Sequence, residues 1–388
     1  MSQSFDEISA QLQRRHRKSA RLKWLSMGAL GLAGLFLVLF FADMLSKGLP
    51  AFQQAQIQVE LDYNEDATRM GRAALDPEVS RLVSRTFERL IPGMLADDPE
   101  LLGTTETRWV LANAQVDQYL KGHTHRLNAA QQATVDRLAE EGKVALKFNT
   151  TFFTSGDSKM AEASGILAAA LGTVMTMLVT LAIAFPIGVM TAVYLEEFAP
   201  DNRLTQIIEI NINNLAAIPS ILFGLLGLAI FISFFGVPRS SPLVGGMTLA
   251  LMTLPVIIIA TRTALRSVPD SIRHAAFGVG CSRWQVVRDH VLPLAMPGIM
   301  TGSIIGLAQA MGETAPLIIV GMVAFIPDVS ATFTNAATVL PAQIFTWAGE
   351  PDKAFVEKTA GGILVLLAIL IFLNATAVVL RKKFERRW

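Results

Sequence analysis

The chain is punctuated by long runs that lack Asp, Glu, Lys and Arg. Trp24 to Ala42 is the first; Ala163 to Leu195, Ile210 to Pro238 and Ser240 to Thr261 follow. His290 to Gly312 continues, across a lone Glu313, into Thr314 to Pro327, and Thr359 to Leu380 is the last. A bilayer core takes about 20 apolar residues as helix, so these runs predict six transmembrane helices. A seventh run, Val329 to Gly349, is as long but carries Ser330, Thr332, Thr334, Asn335, Thr338, Pro341, Gln343 and Thr346. It reads as a polar external or re-entrant segment.

Charge gives the spans a direction. Basic residues favour the cytoplasmic side. Arg14, Arg15, Arg17, Lys18, Arg21 and Lys23 precede the first span, and Arg381, Lys382, Lys383, Arg386 and Arg387 follow the last. Both termini are therefore expected inside, which requires an even number of spans and excludes seven. The stretch holding Arg262, Arg266, Arg273, Arg283 and Arg288 then also falls inside. Residues 48–161 fall outside, with 12 Lys and Arg against 16 Asp and Glu, a net of −4. Within them Gln56 to Asp62 alternates like a strand, Asn64-Glu65-Asp66 reads as a turn, and Val79, Leu82, Val83 and Phe87 have helical spacing. The expected organisation is a basic arm (1–24), a first span (25–47) kept as an uncleaved anchor, a small α or α+β periplasmic domain (48–161) and a five-helix core (162–388). The fold class is an all-α polytopic membrane protein.

Composition agrees with that reading. Of 388 residues, 52% are hydrophobic and only 17% charged, against roughly 25% charged in soluble domains. Basic and acidic residues nearly cancel, so nothing points to nucleic acid. Cys281 is the single cysteine, which excludes an intramolecular disulfide and a Cys-built metal cluster. No phosphate-binding G-x-x-x-x-G-K-[ST] loop, H-E-x-x-H or G-x-S-x-G motif occurs, so no ATP hydrolysis, cofactor or catalysis is expected of this chain. His123 and His125 form an H-x-H without a third ligand and read as loop residues, not a metal site.

The loop at 270–297 carries more specific information. Ile272 to Phe277 reads as a short helix that Gly278 and Gly280 break. Ser282 is positioned to cap a second helix, Arg283 to His290, that Pro293 stops. Ala275 and Ala276 offer a flat surface, and Trp284, Val287 and Val291 an apolar stripe. A short helix-turn-helix with an exposed aromatic suits docking into another protein's groove. Its spacing resembles the Glu-Ala-Ala loop of ABC importer permeases: Ala275-Ala276, Gly280 four residues on, and Leu292-Pro293 twelve beyond that. His274 stands where that family usually has Glu, and His290 where it often has Ile.

Two further motifs narrow the resemblance. Asn214-Leu-Ala-Ala-Ile-Pro-Ser-Ile-Leu-Phe-Gly-Leu-Leu-Gly227 and Ala308-Gln-Ala-Met-Gly-Glu-Thr-Ala-Pro-Leu317 resemble segments of the phosphate ABC transporter permease family PstA. The resemblance covers residues 162–388, and the external domain resembles an N-terminal extension of some members. It implies a MetI-like permease core in the bacterial inner membrane. It also implies partners: a sister permease PstC forming a heterodimer, two copies of the ATPase PstB, the periplasmic phosphate-binding protein PstS, and phosphate as cargo. ATPase coupling falls on Ala275, Ala276, Gly280, Trp284, Leu292 and Pro293. The candidate pathway residues are Asn214, Ser220, Gln309, Glu313 and Thr314. Many members have Arg where this chain has Gln309, so a mechanism through that Arg does not transfer.

Intramembrane charge is rare and usually functional. Glu313 lies sixteen residues past Pro297, about 24 Å along a continuous helix, and is expected deep in its span. Gly312 and Pro316 should loosen the helix around it. It reads either as an acceptor for the P–OH of phosphate or as a structural partner across a subunit contact. Glu209, Asn211, Asn213 and Asn214 read either as interfacial residues or as part of a gate. Gly172, Thr173, Thr176 and Thr180 read as a packing stripe. The rival functions are import of another oxyanion (sulfate or molybdate), a secondary transporter and a membrane sensor. No inverted repeat favours the second, and no cytoplasmic output domain favours the third.

Overall fold

The computed structural model of the protein describes residues 2–329 and 332–384. Ser330 of the polar run and Arg386 and Arg387 of the basic tail lie outside them. Five helices are long and apolar enough to cross a membrane, and one sharply bent pair makes a sixth span. The chain is a mostly helical, polytopic membrane protein with a small sheet between its first two spans.

The first span belongs to Ser2–Gly48, whose apolar stretch is exposed. Its C-terminal end packs: a Cβ on Gly48 would lie 2.5 Å from Leu364 in the last span, Ala354–Phe384. The second span, Leu167–Val193, packs on the fourth, Pro242–Arg266. Gly172, Thr173, Thr176 and Thr180 are all buried. Thr180 Oγ1 donates to Gly246 O at 3.2 Å, and small residues here let the two backbones approach. The stripe is a packing face.

The third span departs from the sequence reading. A continuous helix over Ile210 to Pro238 was the expectation from the uncharged run. Instead Arg203–Ala216 and Ser220–Phe234 meet at 107°. Pro219 is extended (φ −55°, ψ 135°); it has no N–H to give the preceding turn and disfavours helix in the residue before it. Absence of charge reports burial in lipid or protein, not backbone continuity.

The fifth span departs in the opposite sense. Ser282 caps a helix start and forms a reciprocal capping box with Gln285, but Pro293 does not stop that helix. It runs from Arg283 to Gly312 as one span. A wide π-type turn at Val286–Val291 accommodates the hydrogen bond that Pro293 cannot make. Beyond Gly312 the chain breaks, resumes as the short helix Ala315–Ile319, and turns at Gly321 (φ +95°).

Among its described residues the polar run contains one nine-residue helix, Leu340–Ala348, too short to cross a bilayer. Its polar groups tie it to the N-terminal end of the second span and to the residues just before it. Thr173 Oγ1 accepts from Leu340 N at 2.9 Å, Gln343 Nε2 donates to Gly165 O at 3.1 Å, and Trp347 Nε1 donates to Asp157 Oδ1 at 3.0 Å.

The segment between the first two spans is α+β. Strands β1 (Gln53–Asp62), β2 (Thr105–Leu111) and β3 (Val144–Phe148) form an antiparallel sheet in the order β2-β1-β3. Ala55, Ile57, Val59 and Leu61 alternate into the core, as one face of a strand must. Helices Arg85–Asp97 and Ala129–Glu140 cover it with Ile91, Leu95, Val135 and Leu138. The helix expected through Val79, Leu82, Val83 and Phe87 is broken. Val83 forms a bridge with Ala112, and Ser84 caps a new helix by accepting from Thr86 N. His123 is exposed, whereas His125 is half-buried against Tyr119, their ring centroids 4.9 Å apart.

Polar side chains clamp this segment to the last span. Lys121 Nζ pairs with Glu357 at 2.6 Å and Asp117 at 2.7 Å, with Lys121 and Glu357 only 5% and 6% exposed. Gln118 Nε2 donates to the other Glu357 oxygen at 2.9 Å. Nearby, Ser84 Oγ donates to the buried Glu162 carboxylate at 2.8 Å, and Gln54 Nε2 donates to the Glu162 carbonyl. Burial pushes the Glu162 carboxyl above its ordinary pKa, outweighing its hydrogen bonds and the charge of Lys358.

Candidate functional site: the inner docking loop and the two helix breaks

The helix Asp270–Gly278 ends in a turn where Gly280 takes φ +88°, as its sequence position led one to expect. Gly278 stays inside the helix and is not part of the break. The surface this turn presents differs in part from the one read off the sequence. Ala276 and Val291 are buried beneath it, in a cluster with Leu265, Val286 and Ile299, and Val287 is buried as well. Ala275 is exposed, Leu292 and Pro293 are half-buried, and Trp284 is 59% exposed. Phe277 and Val279 are exposed as well, at 47% and 81%. Those two were legible only as apolar residues in a loop; without the turn geometry nothing said that they face outward. Ala275, Phe277, Val279 and Trp284 are apolar residues that this knob-like turn exposes, and exposed aromatics of this kind can anchor protein contacts.

Behind the knob lies an ion-pair network. His274 is exposed and makes no ion pair, but its neighbour Arg273 does. Arg273 Nη2 lies 2.7 Å from Glu197 at the C-terminal end of the second span and also donates to Leu265 O at 3.0 Å. Arg273 Nη1 donates to Val268 O at 2.7 Å. The bond to Glu197 comes first among the causes that raise the Arg273 pKa, and partial burial opposes it. Arg262 joins Glu196 at 3.2 Å to Glu209 at 2.6 Å, and Arg266 reaches Glu196 at 2.7 Å. The loop at 270–297 is thus linked by charge to the second span, and the fourth span is linked to the first half of the broken third. Glu209 is a partner in this network.

The two breaks come together in space. Helix Ser220–Leu226 packs on Ala315–Ile319, and a Cβ on Gly224 would lie 2.8 Å from Pro316 Cα. Only glycine allows that approach. Both sequence motifs singled out above therefore meet at one contact. Glu313 and Thr314 occupy the break itself and are half-buried; Ser220, at the start of the facing helix, is half-buried too. Gln309 and Asn214 are exposed. Among the described residues no hydrogen bond or ion pair engages the side chains of these five. A half-buried carboxylate without a partner is suited to accept a hydrogen bond from something outside this chain.

Comparison with known proteins bears on what that is. Residues 184–388 match the family described as "Binding-protein-dependent transport system inner membrane component". Residues 9–78 and 72–130 match one described as "Domain of unknown function (DUF3333)". The chain is 32% identical over 225 residues to "Phosphate transport system permease protein PstA 1" of Mycobacterium tuberculosis (strain CDC 1551 / Oshkosh), covering 58% of this chain and 73% of that one. It is 30% identical over 220 residues to "Phosphate transport system permease protein PstA" of Pasteurella multocida (strain Pm70), covering 56% of this chain and 76% of that one. Among solved structures it is similar to the MetNI methionine ABC transporter in inward facing conformations, at 19% identity and a TM-score of 0.42, over 56% of this chain and 94% of that one.

Proposed function

The chain belongs to the family of binding-protein-dependent transport system inner membrane components, and on that premise we propose that it is the permease subunit of an ATP-driven importer of inorganic phosphate. The observation that carries the cargo is the match to phosphate permeases across the core that holds both helix breaks. The chain contributes half of a pathway; a sister permease of the PstC type supplies the other half. Two PstB-type ATPases dock on the knob formed by Ala275, Phe277, Val279 and Trp284. A PstS-type binding protein delivers phosphate from outside. Both termini lie in the cytoplasm, and residues 48–161 face the periplasm.

Energy enters at the loop and leaves at the breaks. Movement of the docked ATPases pushes the helix Asp270–Gly278. Arg273 passes the push to Glu197 and the second span, while Arg262 carries the motion of the fourth span to Glu209 and the third. The first half of the third span ends at the bend, and the helix beyond the bend packs on Pro316, close to Glu313. Phosphate near neutral pH still bears a proton, and the Glu313 carboxylate accepts it in a hydrogen bond. Sulfate has no such proton and meets an unpaired negative charge, so its desolvation is uncompensated. Gln309 donates an amide hydrogen bond without neutralising Glu313.

The test is uptake into vesicles that hold the assembled transporter. Phosphate should enter on ATP addition, and sulfate and molybdate should not compete. In Glu313→Gln, phosphate uptake should fall by about tenfold or more, the loss of one charge-assisted hydrogen bond, and sulfate should begin to inhibit. Uptake of sulfate or molybdate by the unaltered transporter would overturn the cargo. Dissociation of the subunits in Glu313→Gln would make the residue an assembly contact instead.

A further inference from the structure

The segment between the first and second spans carries a net negative charge, yet its cations are not evenly spread. A cleft of about 690 Å³ gathers Arg72, Arg81, Arg85, Arg126 and Lys159 on its walls. All five side chains are exposed, and none forms an ion pair among the described residues. Elsewhere in the same segment Lys121, Arg137 and Lys143 are each paired with a carboxylate. Three carboxylates also line the cleft, and each is already engaged. Glu88 accepts from Ser80 Oγ at 2.8 Å, Glu162 from Ser84 Oγ at 2.8 Å, and Asp352 from Ala354 N at 3.1 Å. Cationic groups with free donors therefore outnumber the acids facing them. The first turn of the 13-residue helix Arg85–Asp97 borders the cleft and adds the positive end of its dipole.

The walls come from different parts of the chain. Arg81 and Arg85 flank the break before that helix, Arg126 lies in the loop before Ala129–Glu140, and Lys159 lies in the segment leading into the second span. Asp352 precedes the last span. The cleft thus sits at the seam between the external segment and the outer ends of two spans. Guanidinium groups from separate elements thus line one cleft, and a tetrahedral oxyanion can accept several charge-assisted hydrogen bonds from such donors at once.

We propose that this cleft is a binding site for a phosphate group, outside the membrane pathway and distinct from the helix breaks. The choice of phosphate over other oxyanions rests on the importer reading above; the anionic character of the ligand rests on the cleft alone. Free inorganic phosphate and the headgroup of an anionic phospholipid share the required chemistry. Bound free phosphate would be held at the outer mouth of the transporter; a bound headgroup would fix the external segment to the bilayer surface.

The experiment is equilibrium binding of radiolabelled inorganic phosphate to the full chain in nanodiscs, without its partners. In zwitterionic lipid the unaltered chain should bind, with an affinity that falls as salt is raised. Arg81→Ser/Arg85→Ser should weaken binding by about tenfold or more, since each lost charge-assisted hydrogen bond costs roughly that much. Arg126→Ser should act in the same direction, and Arg137→Ser, outside the cleft, should leave binding unchanged. Thermal midpoints matching the unaltered chain show that the variants fold. If anionic lipid competes phosphate away, and does so only when the cleft arginines are present, the headgroup is the ligand; if it does not compete, the free ion is. Equal binding by the unaltered chain and both cleft variants, or no binding by the unaltered chain in zwitterionic lipid, would overturn the proposal. Phosphate uptake by the assembled transporter in that case leaves the importer reading standing. Cleft binding in a transporter that imports only sulfate would instead overturn the cargo and keep the cleft.

Discussion

At Gly280 the backbone takes φ +88°, and an ideal Cβ there would meet no atom within 4 Å. The cost of a side chain is therefore conformational, about 1–2 kcal/mol for an L-residue held in the left-handed region and more for a β-branched one. Gly280→Val should relieve that strain by re-forming the turn, which shifts the helix that begins at Arg283, with Trp284, relative to Asp270–Gly278. The chain should still insert, while ATP-driven uptake falls at least about tenfold. Normal uptake in Gly280→Val would remove this turn from the coupling path. Gly280 and Glu313 were legible in sequence because each is improbable where it stands: a glycine at a helix break, a carboxylate inside an apolar run. Arg273 was not. It looks like one more basic residue of an inner loop, and its partner Glu197 lies 76 positions away, a separation no local pattern reports. Its neighbour His274 drew the attention because that is where the related loops carry Glu.

Among the elements, the six spans were legible because lipid forbids charge over a whole helix length. Their breaks and continuations were not. Proline cuts the third span at Pro219 and passes through the fifth at Pro293, and the difference lies in whether a wider turn absorbs the missing bond. The same limit applied to the docking loop, where Val287 and Val291 have the spacing of an exposed stripe but are 2% and 0% exposed. What holds the loop helix against the second span is Arg273–Glu197, with Glu197 only 9% exposed. Arg273→Gln should leave that carboxylate short of its charged partner and lower stability by about 2 kcal/mol. Glu197→Gln should do less harm, and the double variant should recover part of the loss. The readouts are the thermal midpoint of the full chain and retention of the ATPase on purification. Strict additivity of the two substitutions would mean that the pair does not couple the loop to the span.

Across the whole molecule, the segment between the first two spans is anchored at a buried polar seam, and its composition alone had suggested only a small soluble domain. The sequence could not reveal the seam because its members come from β1, the helix Ala114–Leu120, the linker at Glu162 and the last span. Glu162 makes the seam sensitive to pH. It is 6% exposed, and burial raises its pKa above the ordinary value of 4.5. The folded chain therefore binds this proton more tightly than the unfolded chain does. The stabilisation is fully present below about pH 4.5, the unfolded value, and is lost as pH rises through the higher folded value. Glu162→Gln keeps an oxygen to accept from Ser84 but cannot ionise. The thermal midpoint of the unaltered chain, corrected for the acidic groups common to both proteins by subtracting the variant's profile, should fall with rising pH above that point and then level off. The variant should be the more stable of the two at neutral pH, where the unaltered carboxylate bears the cost of ionising in a buried site. Parallel pH profiles for the two proteins would show that Glu162 ionises as freely in the folded chain as in the unfolded one, and the seam would then not be the source of the pH dependence.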